Sequence, residues 1–357
     1  MTHLWVRAEQ RSNEARVGVT PEGAKTLIDA GLRVTVEHST QRAIALDGYR
    51  AAGCDIAPEN TWPEAPKDAV IFGLKELPED GTALDHHHIM FGHAYKGQHG
   101  GKILLRRFKV GGGTLYDLEY LVDESDRRVA AFGYWAGYTG AAISVKCWAD
   151  QQRGRLTGSI GAFTNKQALL SDLNRALAAD AVNIAPKRLP RAIVIGALGR
   201  VGTGAADLCQ DLGIEVTKWD ITETAMGAPF PEILTHNIFL NCILARPETP
   251  VFVPASALSE PRQLSVIGDI ACDPDSNYNP IPVYDRATTW HNPALRVHQT
   301  PLLDVMAIDN LPSLLPVESS QDYAAQLLPV LTQLPKLDQG IWGRAAATFQ
   351  SHVSGVW

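Results

Sequence analysis

Residues 195–202 read Ile195-Gly196-Ala197-Leu198-Gly199-Arg200-Val201-Gly202. They follow the apolar run 191–195 and open a helical stretch that ends near Leu212-Gly213. No other segment narrows the choice of folds as far. A buried strand that turns over glycines into a helix is the opening unit of an open parallel sheet. Glycines let the backbone turn tightly and come close to a pyrophosphate. The helix N-terminus adds free N–H groups and the positive end of a dipole. A second strand, 215–220, then ends in Asp220, about 20 to 25 residues after the first glycine, the spacing at which an acid meets a ribose. A carboxylate there can accept from both ribose hydroxyls and repels a 2′-phosphate, which favours NAD over NADP. Lys218 beside it weakens that preference. Leu198 takes the middle glycine position, so the motif is GxxGxxG. A glycine turn alone has a plain packing explanation; strand, turn, helix, strand and acid in sequence point to a nucleotide.

The rest of the chain repeats this alternation. Short apolar runs at 4–6, 33–36, 69–73 and 89–92 read as strands. Thr20-Pro21-Glu22 reads as an N-cap with proline in the first turn of a helix running to about Ala30, with Gly31 ending it. After a helix over 164–179 and a proline-marked basic linker at 186–190, strands are expected at 191–195, 238–243 and 264–267. Helices are expected at 321–331 and 341–352.

With 357 residues the chain is too long for one ordinary core and about right for two domains. A net charge of −7 disfavours nucleic acid as a partner. The early charges Arg7 and Glu9 disfavour a signal peptide, and no apolar run approaches the roughly 20 residues needed to span a bilayer. The five cysteines are scattered, odd in number and without a CxxC pair, which fits a reducing cytoplasm and no zinc site. His86-His87-His88 invites a metal reading, but three consecutive histidines cannot face one way on a strand, so no metal is expected.

In open parallel sheets ligands bind beyond the carboxyl ends of the strands. Lys75, His93 and Lys96 fall at such ends. Singly, a lysine or arginine is a solvated charge and a histidine a structural residue. Together they carry more. An amine and an imidazole both exchange protons near neutral pH when their surroundings tune them, and Glu76 adjoins Lys75. Arg16, Arg127 and Arg128 add groups that bind carboxylates in bidentate fashion, which suits a small substrate with several carboxylates.

Arg7-Ala8-Glu9, Glu14-Ala15-Arg16, Gly73-Leu74-Lys75-Glu76 and His93-Ala94-Tyr95-Lys96 resemble the NAD-dependent, lysine-forming saccharopine dehydrogenase family. So do residues 113–119, 127–133, 195–200, 218–221 and 308–316, which run in order along nearly the whole chain. The GxxG turn is itself a family feature. More distantly the family is similar to alanine dehydrogenase and the transhydrogenase N-terminal region.

The resemblance implies an α/β fold: two Rossmann-like domains with parallel sheets flanking an interdomain cleft. Residues 1–133 with 321–357 would bind substrate, and 134–320 would bind NAD. It implies Lys75 as the base and His93 as the group that activates water. Arg16, Lys96, Gln98, Arg127, Arg128 and Phe132 would shape the substrate site, with Glu76 and Glu119 beside the catalytic pair. Gly196, Gly199, Arg200, Gly202, Asp220, Thr224, Leu244, Ile270, Ile308, Asp309 and Leu311 would contact the cofactor. Leu244 stands where family members carry tyrosine, and Val201 replaces a cysteine. The implied chemistry is conversion of saccharopine to lysine and 2-oxoglutarate, by a monomer. Two other readings stay open: an enzyme of the alanine-dehydrogenase or opine type, and a non-catalytic NAD-binding regulator. The number of cations disfavours the first, and Lys75, His93 and Asp220 together disfavour the second.

Overall fold

The computed structural model describes residues 1–97, 99–178 and 189–356. The chain divides into two compact units, Met1–Ala131 with Pro316–Trp357, and Phe132–Leu315. The first unit is built on a six-stranded sheet: β1 His3–Val6, β2 Arg33–Glu37, β3 Asp55–Ala57, β4 Ala69–Phe72, β5 His87–Met90 and β6 Thr114–Asp117. Its order is β3-β2-β1-β4-β5-β6, and every pair is parallel. The order reverses between β1 and β4, which opens a crevice beyond their carboxyl ends. Helices α1 Pro21–Asp29, α2 Leu46–Ala51 and α3 His99–Gly111 supply crossovers. As the sequence suggests, Thr20 caps α1 by accepting from the Gly23 amide, and Gly31 ends it at φ +90°.

One strand sits two residues earlier than its apolar run. Strand β5 begins at His87 because its ladder pairs His87 with both Val70 and Thr114. Polar side chains there hid a strand whose backbone fits the sheet. His88 is 1% exposed, its ring edge-on to Trp62 and Phe108, and burial holds its pKa well below the usual value. His86 meets the Ala65 carbonyl, while His87 packs on Tyr116. The three thus serve as packing residues. Among the described residues no group of three or more metal-ligating side chains gathers.

The second unit carries β7 Arg191–Ile195, β8 Glu215–Trp219, β9 Ile238–Asn241, β10 Val266–Asp269, β11 Leu295–Gln299 and β12 Leu302–Met306. The order is β11-β12-β10-β9-β7-β8. All pairs are parallel except β11 with β12, an antiparallel return at the edge of the parallel sheet. A short antiparallel return needs no crossover helix. Strand β10 lies two residues later than 264–267 because Gly268 and Asp269 continue it. The Asp269 side chain is tied to Asn241 and Tyr284 at 2.9 and 2.6 Å, which makes a carboxylate tolerable at 2% exposure.

Helix α4 Gly133–Gln152 crosses this unit, with α5 Lys166–Ala178, α6 Arg200–Asp211, α7 Ile221–Thr224 and α8 Pro231–Leu234 around the sheet. Residues 186–188 of the expected linker lie outside the described residues. Helices α9 Pro316–Leu331 and α10 Gly340–Val353 return to the first unit. Trp342 and Phe349 bury themselves there against Tyr116 and Phe108, with ring centroids 5.5 and 5.6 Å apart. The units divide after Ala131 and after Leu315, where the sequence reading divided them after 133 and 320. Helix α9 starts five residues before the expected 321, and α4 begins at Gly133. Among the described residues no helix is long and apolar enough to cross a membrane.

Candidate active site

In the first unit the chain leaves β4 through Gly73 and Leu74 and reaches Lys75. The Leu74 and Lys75 amides donate to the two oxygens of Glu9 at 2.6 and 3.0 Å. The Lys75 side chain is half-buried. Desolvation pushes its pKa down, Arg16 and Arg11 push the same way, and Glu14 and Glu76 oppose them. An amine so placed loses its proton more readily than a free one. Arg16 is itself buried, and Glu14 grips it through Nε and Nη2 at 2.8 and 2.6 Å. The pairing pulls the Glu14 carboxyl down against the desolvation that would raise it.

Beyond β5, His93 takes a left-handed backbone at φ +47° and leaves its ring 44% exposed. The ring stacks on Phe91 at 6.3 Å between centroids. Its Nε2 lies 3.6 Å from Glu76 Oε1 and its Nδ1 4.0 Å from Glu119 Oε2. The other Glu119 oxygen accepts from Lys96 Nζ at 2.7 Å, which raises the lysine pKa. Glu76, His93, Glu119 and Lys96 thus form a continuous run of acid, imidazole, acid and amine.

Other expected substrate residues lie further out. Arg127 is 78% exposed and held by Asp123 at 3.0 Å, within the turn after β6. Arg128 is exposed, and its charge is felt at Lys96 and Tyr323. Phe132 opens the second unit as the residue before α4. Gln98 lies outside the described residues. Asp117 was not singled out from the sequence, although it closes β6 two residues before Glu119. It is 1% exposed, one oxygen accepts from the Glu119 amide at 2.9 Å, and the other has no hydrogen-bond partner. An acid at the end of an apolar strand was the available signal.

In the second unit Gly196 turns at φ +86°, where a side chain would be strained. Gly199 caps α6 and Arg200 begins it. A Cβ on Gly202 would overlap the Gly196 carbonyl oxygen, so that glycine lets α6 pack onto the turn. Asp220 accepts from the Leu198 amide with Oδ2 and the Ile221 amide with Oδ1, both at 2.9 Å. Two lone-pair sites per oxygen leave it capacity for ribose hydroxyls. The Thr224 hydroxyl donates to the Asp220 carbonyl at 3.0 Å.

Gly196, Gly199, Asp220, Thr224 and Leu244 surround one cavity of about 580 Å³, within the usual range for a small-molecule site. Ile221, Arg246 and Glu248 are among the lining residues that were not singled out from the sequence. Ile221 and Leu244 are 78% and 72% exposed, apolar surface that suits an adenine face. The remaining expected cofactor residues lie elsewhere in the unit. Ile270, Ile308 and Leu311 follow β10 and β12 and are buried in the core around α4, while Asp309 is exposed. The glycine turn, the anchored acid and the cavity together fit a dinucleotide.

Three comparisons bear on these features. Residues 5–139 match the model of the alanine dehydrogenase/PNT N-terminal domain. The chain is 44% identical to a Schizosaccharomyces pombe protein named saccharopine dehydrogenase [NAD(+), L-lysine-forming], over 98% of each chain. It is 45% identical to the Yarrowia lipolytica protein of the same name, over 98% of this chain and 97% of that one. Among solved structures an L-alanine dehydrogenase superposes with a TM-score of 0.67 at 18% identity, covering 99% of this chain and 94% of that one. That likeness establishes the fold alone.

Proposed function

The chain belongs to the NAD-dependent, lysine-forming saccharopine dehydrogenases, and from this premise we propose that it converts saccharopine, NAD and water to lysine, 2-oxoglutarate and NADH. NAD, when bound, supplies the acceptor for the hydride that leaves the glutaryl carbon. Lys75 takes the proton from the secondary amine as the C–N bond becomes an imine. Its lowered pKa supports this, since a base must be unprotonated at the working pH. His93 then takes a proton from the water that adds to the imine carbon and returns one to the departing lysine nitrogen. Glu76 and Glu119 lie 3.6 and 4.0 Å from the two ring nitrogens, near enough to favour the imidazolium that forms yet leaving a nitrogen to take the proton. Arg16, Lys96, Gln98, Arg127, Arg128 and Phe132 would receive the substrate and its carboxylates.

The turn residues Gly196, Gly199, Arg200 and Gly202 would take the pyrophosphate, and Asp220 with Thr224 and Leu244 the adenosine. Ile270, Ile308, Asp309 and Leu311 would border the nicotinamide end. Five free cysteines support a cytoplasmic setting, and the reading implies a monomer. The observation that carries the function is the half-buried, cation-flanked Lys75 in the same unit as the Glu76–His93–Glu119 run. The test is NADH absorbance with saccharopine, alanine and other opines, each with NAD and NADP. Saccharopine with NAD should exceed every other pair. Faster turnover of alanine would overturn the substrate.

A further inference from the structure

The carboxyl end of β1 and that of β4 meet where the first unit's sheet reverses direction. In a nucleotide-binding sheet this crevice takes the ligand. Here it is nearly full. The cavity lined by Arg7, Glu9, Glu14, Arg16 and Arg42 has a volume of about 10 Å³, space for one water at most.

Arg7 and Glu9 fill it in a specific way. Glu9 is 8% exposed and places one oxygen on the Leu74 amide and the other on the Lys75 amide, at 2.6 and 3.0 Å. Arg7, 2% exposed, lies with Nη1 3.4 Å from Glu9 Oε2. The same Nη1 donates to the Ala8 carbonyl at 3.1 Å, and Nη2 donates to the Lys75 carbonyl. The Arg7 amide donates to Phe72 at the end of β4 at 2.9 Å. A Cβ on Gly73 would overlap the guanidinium, so the chain leaves β4 directly over Arg7. Both main-chain polar groups of Lys75 are therefore held, the amide by Glu9 and the carbonyl by Arg7.

We propose that Glu9, locked by Arg7, is a positioning residue that fixes the main chain of Lys75 and so the point from which its amine reaches the substrate. The proposal rests on Lys75 being the base. A carboxylate is the acceptor that can take two adjacent amides at once, and charge-assisted bonds of this kind resist displacement. Misplacing a catalytic group by about 1 Å can cost about a hundredfold in rate. The same clamp keeps Lys75 beside the groups that set its proton affinity, Arg16, Arg11, Glu14 and Glu76.

Glu9→Gln tests this in the full chain, because its amide presents N–H groups to a backbone N–H. Expected are a fall in kcat of about ten- to a hundredfold, an unchanged KM for NAD, and a shift of the limb along which activity rises with pH toward higher pH as Lys75 escapes burial. Glu9→Asp, which keeps both acceptor oxygens, should recover part of the rate. Arg7→Lys loses the fork that reaches the Lys75 carbonyl and should move the limb in the same direction; it decides the matter if Glu9→Gln does not fold. A folded variant of either residue with wild-type kcat and an unmoved limb overturns the proposal. So does a rate loss that follows only the fraction of folded protein. Lys75→Met run in parallel separates the two failures: activity in that variant removes the base itself, whereas its inactivity beside a normal Glu9→Gln removes only the positioning role.

Discussion

Asp117 stands at the end of β6 with its carboxyl pushed up to about 6 by burial, which the bond from the Glu119 amide only partly offsets. A raised folded pKa means that the charged form is the one penalised. The penalty is absent below the unfolded pKa of about 3.9 and grows through about pH 6. Replacing Asp117 with Asn should therefore stabilise the protein by about 1–3 kcal/mol at pH 8 and by almost nothing at pH 4. Urea unfolding at both pH values checks this; a gain of equal size at each would mean that the charge is not the cause. Asp220 allows a second prediction at this scale. With Asp220→Ala, NAD affinity should fall about tenfold, the worth of roughly one good hydrogen bond. NADP should lose less, because the carboxylate anchored at the turn is gone while Arg246 and Glu248, of opposite charge, both still line the cavity. Fluorescence titration with both cofactors gives the ratio, and an unchanged ratio would remove Asp220 as the discriminator.

At the scale of elements, the second unit turns on the crossing of α4 and α6. A Cβ on Gly137 would overlap the Val201 carbonyl, and one on Gly204 would overlap the Tyr134 carbonyl. The two backbones approach through these glycines, which seats α6 and its N-terminal turn. Gly204→Ala should cost about 1–3 kcal/mol or more, as overpacking against backbone does, and lower Tm by about 2–4 °C per kcal/mol. Scanning calorimetry measures it, and an unshifted Tm would mean that the crossing is loose. The crossing also marks where sequence reading stops. Strands 191–195 and 33–36 and the capped helix after Thr20 were legible because their signals are local: apolar runs, an N-cap, a terminal glycine. Helix α4 was not, because it is buried nearly all round and has no polar face to give a period. Strands β5 and β10 were displaced by two residues because His87, His88 and Asp269 are polar but paired or packed inside the sheet.

For the whole molecule, the candidate site was legible where its proposed residues are neighbours in sequence and hidden where they are not. Lys75 with Glu76, His93 with Lys96, and the glycine turn with Asp220 could be read as motifs. The hold of Glu9 on Lys75 spans 66 positions, and Arg246 joins Asp220 only through the folded cavity. Ligand linkage tests the folded unit that carries the turn. NAD at about 100 times its Kd should raise stability by about 2.7 kcal/mol, with NADP at the same concentration giving less. The most direct measurement is the pH dependence of kcat/KM for NADH formation from saccharopine, for the wild-type chain and for Lys75→Met. The wild type should gain activity with rising pH along a limb that lies below the ordinary lysine range, and the variant should lose at least about a hundredfold and that limb with it. A variant that keeps the wild-type rate and the same limb would contradict Lys75 as the base.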